Sequence, residues 1–161
     1  MKVAAVQLTS TGKITENQEL ALAKIREAAG NGARLIVLPE ATAQNFRSGR
    51  LDEQAQTLEG PFATAIQALA EELEVTVVAG MFCPADTVER EGKTINRVTN
   101  TALIAGPGVL GGYDKIHTYD AFDYRESDTV LAGESLVAFD VDDLIVGVAT
   151  CYDIRFPEQF K

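Results

Sequence analysis

Apolar residues recur along the chain in two patterns, short unbroken runs and wider spacings of three to four. Short runs rich in β-branched residues predict strands buried on both faces, and helical spacing predicts a helix with one buried stripe. Residues 2–8 form the first short apolar strand. Over 14–29, Ile14, Ala21, Ile25 and Ala28 keep helical spacing, Glu16 and Glu19 stand in the first turn, and Gly30 is a stop. Asn31-Gly32 turns the chain into a second buried strand over 34–38, which Pro39 ends. This strand–helix–strand order implies parallel strands joined by a right-handed crossover. Residues 41–59 read as a loop with at most a short helix.

Pro61 opens the next helix, with Phe62, Ile66, Leu69, Ala70 and Leu73 on one face. A third strand follows over 75–81. The charged stretch 85–93 reads as an exposed hairpin turn. Strands over 96–104 and 109–113, joined at Gly106-Pro107-Gly108, predict an antiparallel pair and hence a mixed sheet. After a polar loop over 119–128, the runs 136–139 and 144–149 flank a hairpin turn at Asp142-Asp143. The last run is nearly unbroken, which predicts a strand buried on both faces.

At 161 residues the chain fits one domain with a sizeable core, over 1–161. A net charge of −10 argues against a nucleic-acid partner, since phosphate binding needs a basic face. No window is long and apolar enough to cross a membrane, and the N-terminus reads as a strand rather than an export signal. Two distant cysteines without such a signal fit a reducing cytoplasm. No His/Cys cluster has zinc-ligand spacing, so no metal is expected. The single histidine, His117, leaves a carboxylate or lysine as the partner of any nucleophilic cysteine.

Three residues stand just past strand ends, where ligand sites gather in open α/β sheets. Glu40 follows the second strand and is placed to act as a general base; a helix cap or solvated charge is the plainer alternative. Lys115 ends the strand before Ile116-His117, where a lysine is ordinarily a solvated charge. Cys151 follows the last strand and precedes Phe156-Pro157-Glu158-Gln159, which has the character of a helix first turn. At such a turn, backbone N–H groups favour a thiolate and can hold an oxyanion. The alternative is an inert buried thiol, the reading given to Cys83, which lacks any basic or helix-start context.

The segments Leu38-Pro39-Glu40-Ala41, Tyr113-Asp114-Lys115-Ile116-His117 and Thr150-Cys151-Tyr152-Asp153-Ile154-Arg155-Phe156-Pro157-Glu158 resemble the three signatures of the nitrilase, or carbon–nitrogen hydrolase, superfamily. The order Glu, Lys, Cys is also similar, and Cys151 to Glu158 looks most like the omega-amidase-like branch. The resemblance implies an α/β (α+β) fold, the four-layer α-β-β-α sandwich of nitrilase type. It implies Cys151 as nucleophile, Glu40 as general base, and Lys115 with the Tyr152 N–H as oxyanion partners. Glu126 resembles a second glutamate that positions substrate or assists proton transfer. No cofactor is implied. The expected partner is a small-molecule amide, and the family's habit implies a homodimer or higher homo-oligomer.

The family's domain continues past the helix after the cysteine, so the chain reads as its N-terminal part, incomplete at the C-terminus. An alternative to an amidase is therefore a catalytically silent, truncated member acting as a binding or interaction module. A redox or flavodoxin-like domain fits less well, because there is no Cys-x-x-Cys motif and no Gly-rich loop after the first strand. Arg155 follows the nucleophile by four residues, Arg125 adjoins Glu126, and Arg47 lies in the loop after Glu40. Each either pairs with a neighbouring carboxylate or holds a distal carboxylate of the substrate. Arg155 is the best placed to brace its loop by bonding backbone carbonyls.

Overall fold

A computed structural model describes residues 1–161. Its main sheet runs β1 (Val3–Ala5), β2 (Leu35–Val37), β3 (Thr76–Arg90), β4 (Lys93–Gly106) and β5 (Val109–Asp114) in spatial order. The first three strands are parallel, and β3–β4 and β4–β5 are antiparallel. The mixed sheet thus follows from two crossovers and then two hairpins. Helices α1 (Ile14–Gly30) and α2 (Pro61–Glu72) form the crossovers and cover one face. Their apolar stripes meet the strands in one core that includes Ile25, Ile36, Phe62, Ile66, Val77, Met81 and Leu103.

The other face carries a hairpin, β9 (Ala138–Val141) and β10 (Leu144–Gly147), whose Phe139 and Val141 pack on Leu35 and Ile104. Layers therefore stack as helices, sheet and hairpin, an α+β sandwich. Two shorter strands, β6 (Asp120–Ala121) and β7 (Tyr124–Arg125), form a separate hairpin, while β8 (Val130–Leu131) pairs with β4. No helix is long and apolar enough to cross a membrane.

Three expectations are corrected. The hairpin expected over 85–93 is there and exposed, but its turn is shorter: β3 and β4 continue as a projecting two-stranded ribbon to a tight turn at Glu91-Gly92, both with left-handed φ. Charged residues fit there because both faces of the ribbon meet water, and cross-strand pairs such as Arg97–Asp86 and Thr94–Glu89 add to the ladder. Second, β10 is not buried on both faces; Leu144 and Ile145 are exposed, Ile145 at 80%. It pairs only with β9, and one face of that hairpin has no layer over it. Third, the predicted helix after Phe156 is a 3₁₀ turn, Pro157–Phe160, and another 3₁₀ turn, Cys151–Arg155, precedes it. Asp153 accepts from the Thr150 N–H (2.8 Å) and tightens the first turn directly at the cysteine.

Candidate active site

Each strand end is fixed by a different local device. After β2 the chain reverses at Glu40, and Ala41 takes a left-handed φ of 57°. The Thr42 hydroxyl donates to the Pro39 carbonyl (2.6 Å), and the Ala43 N–H donates to Gly80 of β3 (3.0 Å). Gly80 is required there. A Cβ on it would stand 2.5 Å from the Ala41 nitrogen and 2.7 Å from the Pro39 oxygen. Below the loop, the buried Asn17 of α1 donates to Ala43 and Thr11.

Lys115 continues β5. Its N–H donates to the Asn100 carbonyl (2.9 Å) and its own carbonyl accepts from Gly133 (2.9 Å). The side chain is only 2% exposed, and its ammonium meets two carboxylates. It donates to Glu126 Oε2 (2.9 Å) and Oε1 (3.1 Å), and to Glu40 Oε1 (3.4 Å). Burial works against the charged lysine, but the Glu126 hydrogen bonds and the charges of Glu40 and Glu126 outweigh it, so its pKa is raised. Glu126 is buried too, in a 3₁₀ turn, and accepts from the Tyr119 N–H (2.6 Å).

Cys151 lies four residues past the end of β10, opens the first of the last two 3₁₀ turns and is exposed. Its φ of 53° is a left-handed conformation that a side-chain-bearing residue adopts only where surrounding contacts impose it. Those contacts centre on Asp153, which is fully buried. It accepts from the Tyr113 hydroxyl (2.6 Å) and the backbone N–H groups of Thr150 (2.8 Å) and His117 (3.0 Å). His117 Nδ1 also lies 2.8 Å from it. Burial raises the Asp153 carboxyl, but these bonds prevail and hold it below the ordinary value. Tyr113, desolvated and bonded to Asp153, is pushed up to about 12. The only histidine is thus a structural partner of Asp153, its ring stacked on Phe156 at 3.6 Å.

Glu40, Lys115, Glu126 and Cys151 all line one cavity of about 730 Å³. Tyr119, Tyr124, Phe46 and Phe122 form its aromatic walls, and Arg47 and Asp123 add charge. Cys151 does not follow the thiolate expectation. Burial first, then the charge and hydrogen bonding of Glu40, push its thiol up; Lys115 and the Tyr152 N–H pull only partly the other way. A thiol so raised needs a base before it can attack.

Sequence reasoning missed Asn100. It is buried on β4 and donates to Glu40 Oε1 (2.7 Å) and Glu126 Oε1 (3.4 Å). The only signal was an amide just before the apolar run Ala102-Leu103-Ile104-Ala105, and Asn96 on the same strand carries one too. Of the three arginines, only Arg47 reaches the cavity. Arg125 is exposed and points to Asp128 at 3.9 Å. Arg155 is exposed and lines no part of the cavity; the 3₁₀ turn directs it outward, and it braces no carbonyl. No cluster of His, Cys, Asp and Glu suited to a metal is present.

A family profile described as carbon–nitrogen hydrolase matches residues 2–161. The chain belongs to that family. A hydrolase of Mycobacterium tuberculosis is 41% identical over 165 residues, covering 99% of this chain and 55% of that protein. An omega-amidase of Danio rerio is 31% identical over 164 residues, covering 98% of this chain and 56% of that protein. Such likeness agrees with the nitrilase-superfamily motifs read from the sequence. Among solved structures, a CN-hydrolase superfamily protein of Xanthomonas campestris, with an arsenic adduct in its active site, superposes with a TM-score of 0.79 at 25% identity. That match covers 97% of this chain and 55% of that one. The chain spans about half the length of the relatives it matches.

Proposed function

We propose that the protein hydrolyses a linear, non-peptide C–N bond of a small carboxylic acid amide through a cysteine acyl-enzyme. The observation that carries this reading is the meeting of Glu40, Lys115 and Cys151 on one cavity wall. Glu40 takes the thiol proton as sulfur attacks the amide carbonyl. The oxyanion that forms is held by the Lys115 ammonium and the Tyr152 N–H. Protonated Glu40 returns its proton to the departing nitrogen, which leaves as ammonia, and the acyl group remains as a thioester. Glu40 then takes a proton from water as hydroxide adds to the thioester, and on collapse the C–S bond breaks, the acid leaves and Glu40 returns that proton to the sulfur, restoring the thiol. Glu126 keeps Lys115 charged and oriented through two short hydrogen bonds.

The substrate we favour is a dicarboxylic acid monoamide. Arg47 supports this choice: it lines the cavity and has no carboxylate partner within the fold. A guanidinium in such a place offers a two-point fork to a distal carboxylate. The unpaired edge of β10, with Leu144 and Ile145 exposed, supports self-association into a homo-oligomer.

Ammonia release from a panel of amides matched in length, with and without a terminal carboxylate, tests both parts. The carboxylate-bearing members should be turned over faster, and Arg47→Met should erase that preference by raising KM about tenfold or more. Preference for neutral members defeats the substrate assignment. No ammonia from any member defeats the reaction.

A further inference from the structure

We propose that Asn100 is a positioning residue for the base: its amide holds one oxygen of Glu40 and so turns the carboxylate toward Cys151. The inference rests on the reading of Glu40 as base given above. Three contacts argue for it. The Asn100 carbonyl accepts from the Lys115 N–H (2.9 Å), so one residue sets the backbone of the lysine. Its Nδ2 donates to Glu40 Oε1 at 2.7 Å and reaches Glu126 Oε1 at 3.4 Å, so the same residue also sets both carboxylates. Asn100 is 1% exposed, and the ladder pairs it with Phe82 of β3, so it has little freedom to move.

A carboxylate serves as a base only if one of its oxygens faces the proton it takes. The Asn100 amide is a donor with a fixed place on β4, and together with Lys115 it occupies Glu40 Oε1, which leaves Oε2 as the oxygen available to the thiol. An aliphatic residue at this position would fill the space and supply none of this. The other ionisable groups facing Glu40 are Lys115, Glu126 and Cys151, with Tyr119, Tyr124, Arg47 and Asp123 around the cavity.

The test uses the thiol itself and needs no substrate. The rate at which iodoacetamide alkylates Cys151 is measured at about pH 7.5, with peptide mass spectrometry to separate it from Cys83. Glu40→Gln should slow it about 10²-fold or more, the loss of the base. Asn100→Ala should slow it about tenfold, the loss of one hydrogen bond to a charged acceptor, and leave Cys83 unchanged. Added to Glu40→Gln, the same substitution should slow Cys151 no further, a coupling that a merely structural role does not produce. A Cys151 rate equal to the wild type in folded Asn100→Ala, or equal slowing in both backgrounds, overturns the inference. Failure of both Asn100→Ala and Asn100→Asp to fold also overturns it, because Asn100 is then scaffold. If Glu40→Gln leaves the rate unchanged, Glu40 is not the base; if it slows the rate while Asn100→Ala does not, only the role of Asn100 is lost.

Discussion

Cys83 and Cys151 are the two thiols of the chain, and both are held above the ordinary thiol value. The causes differ. Cys83 sits on β3, half-buried, with Thr101 and Thr99 as hydrogen-bond partners and only the negative charges of Asp114 and Glu59 nearby. Cys151 also feels burial and a carboxylate, but that carboxylate can accept its proton, and an ammonium and a backbone N–H stand ready for the charge that results. A raised thiol is thus no mark of inertness. What separates the two cysteines is whether base and cation lie on the same side of the sulfur, within reach of a ligand.

The largest expected break in this comparison is substitution of the thiols themselves. Cys151→Ala should lower ammonia release at least about 10⁴-fold, while Cys83→Ala keeps it within about threefold. Steady-state assay with melting curves on both variants checks this, and normal turnover by Cys151→Ala would sink the mechanism. Lys115→Met is the next step down, since it gives Cys151 the all-negative surroundings of Cys83. It should cost about 10²- to 10³-fold in kcat, the scale of one lost oxyanion partner, and slow alkylation of Cys151 toward that of Cys83. Equal kcat in this variant would remove the lysine from the mechanism.

Asp153 sharpens the comparison by the smallest amount, because it acts on the shape of the Cys151 turn. Its carboxyl is lowered in the folded state. The stability it contributes is therefore present above its unfolded value, about 3.9, and is lost as pH falls through the lower folded value. Asp153→Asn should destabilise the protein at pH 7 by about 1–3 kcal/mol, the cost of one disturbed buried network. The gap should narrow below about pH 4. Urea titrations at pH 7 and pH 3 measure it, and a gap that widens in acid would contradict the assignment. On the alkaline side Lys115, raised when folded, contributes below its unfolded value near 10.4 and loses its contribution only above that.

Periodicity and strand-end chemistry made much of this legible. Ile25, Phe62 and Ile66 announce helix faces, and the run from Leu35 announces a strand, because local burial imposes those spacings. Glu40, Lys115 and Cys151 were visible as polar groups where apolar runs stop. Arg155 looked equally placed by sequence distance from the nucleophile, yet a 3₁₀ turn sends it to solvent. Arg47, separated from Cys151 by most of the chain, lines the cavity instead.

The amino-acid sequence by itself determined the order of strands and helices, the mixed sheet and the three residue types of the site, since each depends on neighbours a few positions away. Only the tertiary structure decided what those groups do to one another. Lys115 and Glu40 meet across 75 positions of sequence, and Asn100 and Glu40 across 60. The continuation of the ribbon past residue 84, the exposure of β10 and the raised thiol of Cys151 were settled the same way. Charge and solvation energies depend on distance through space and on what excludes water, and no local spacing encodes either.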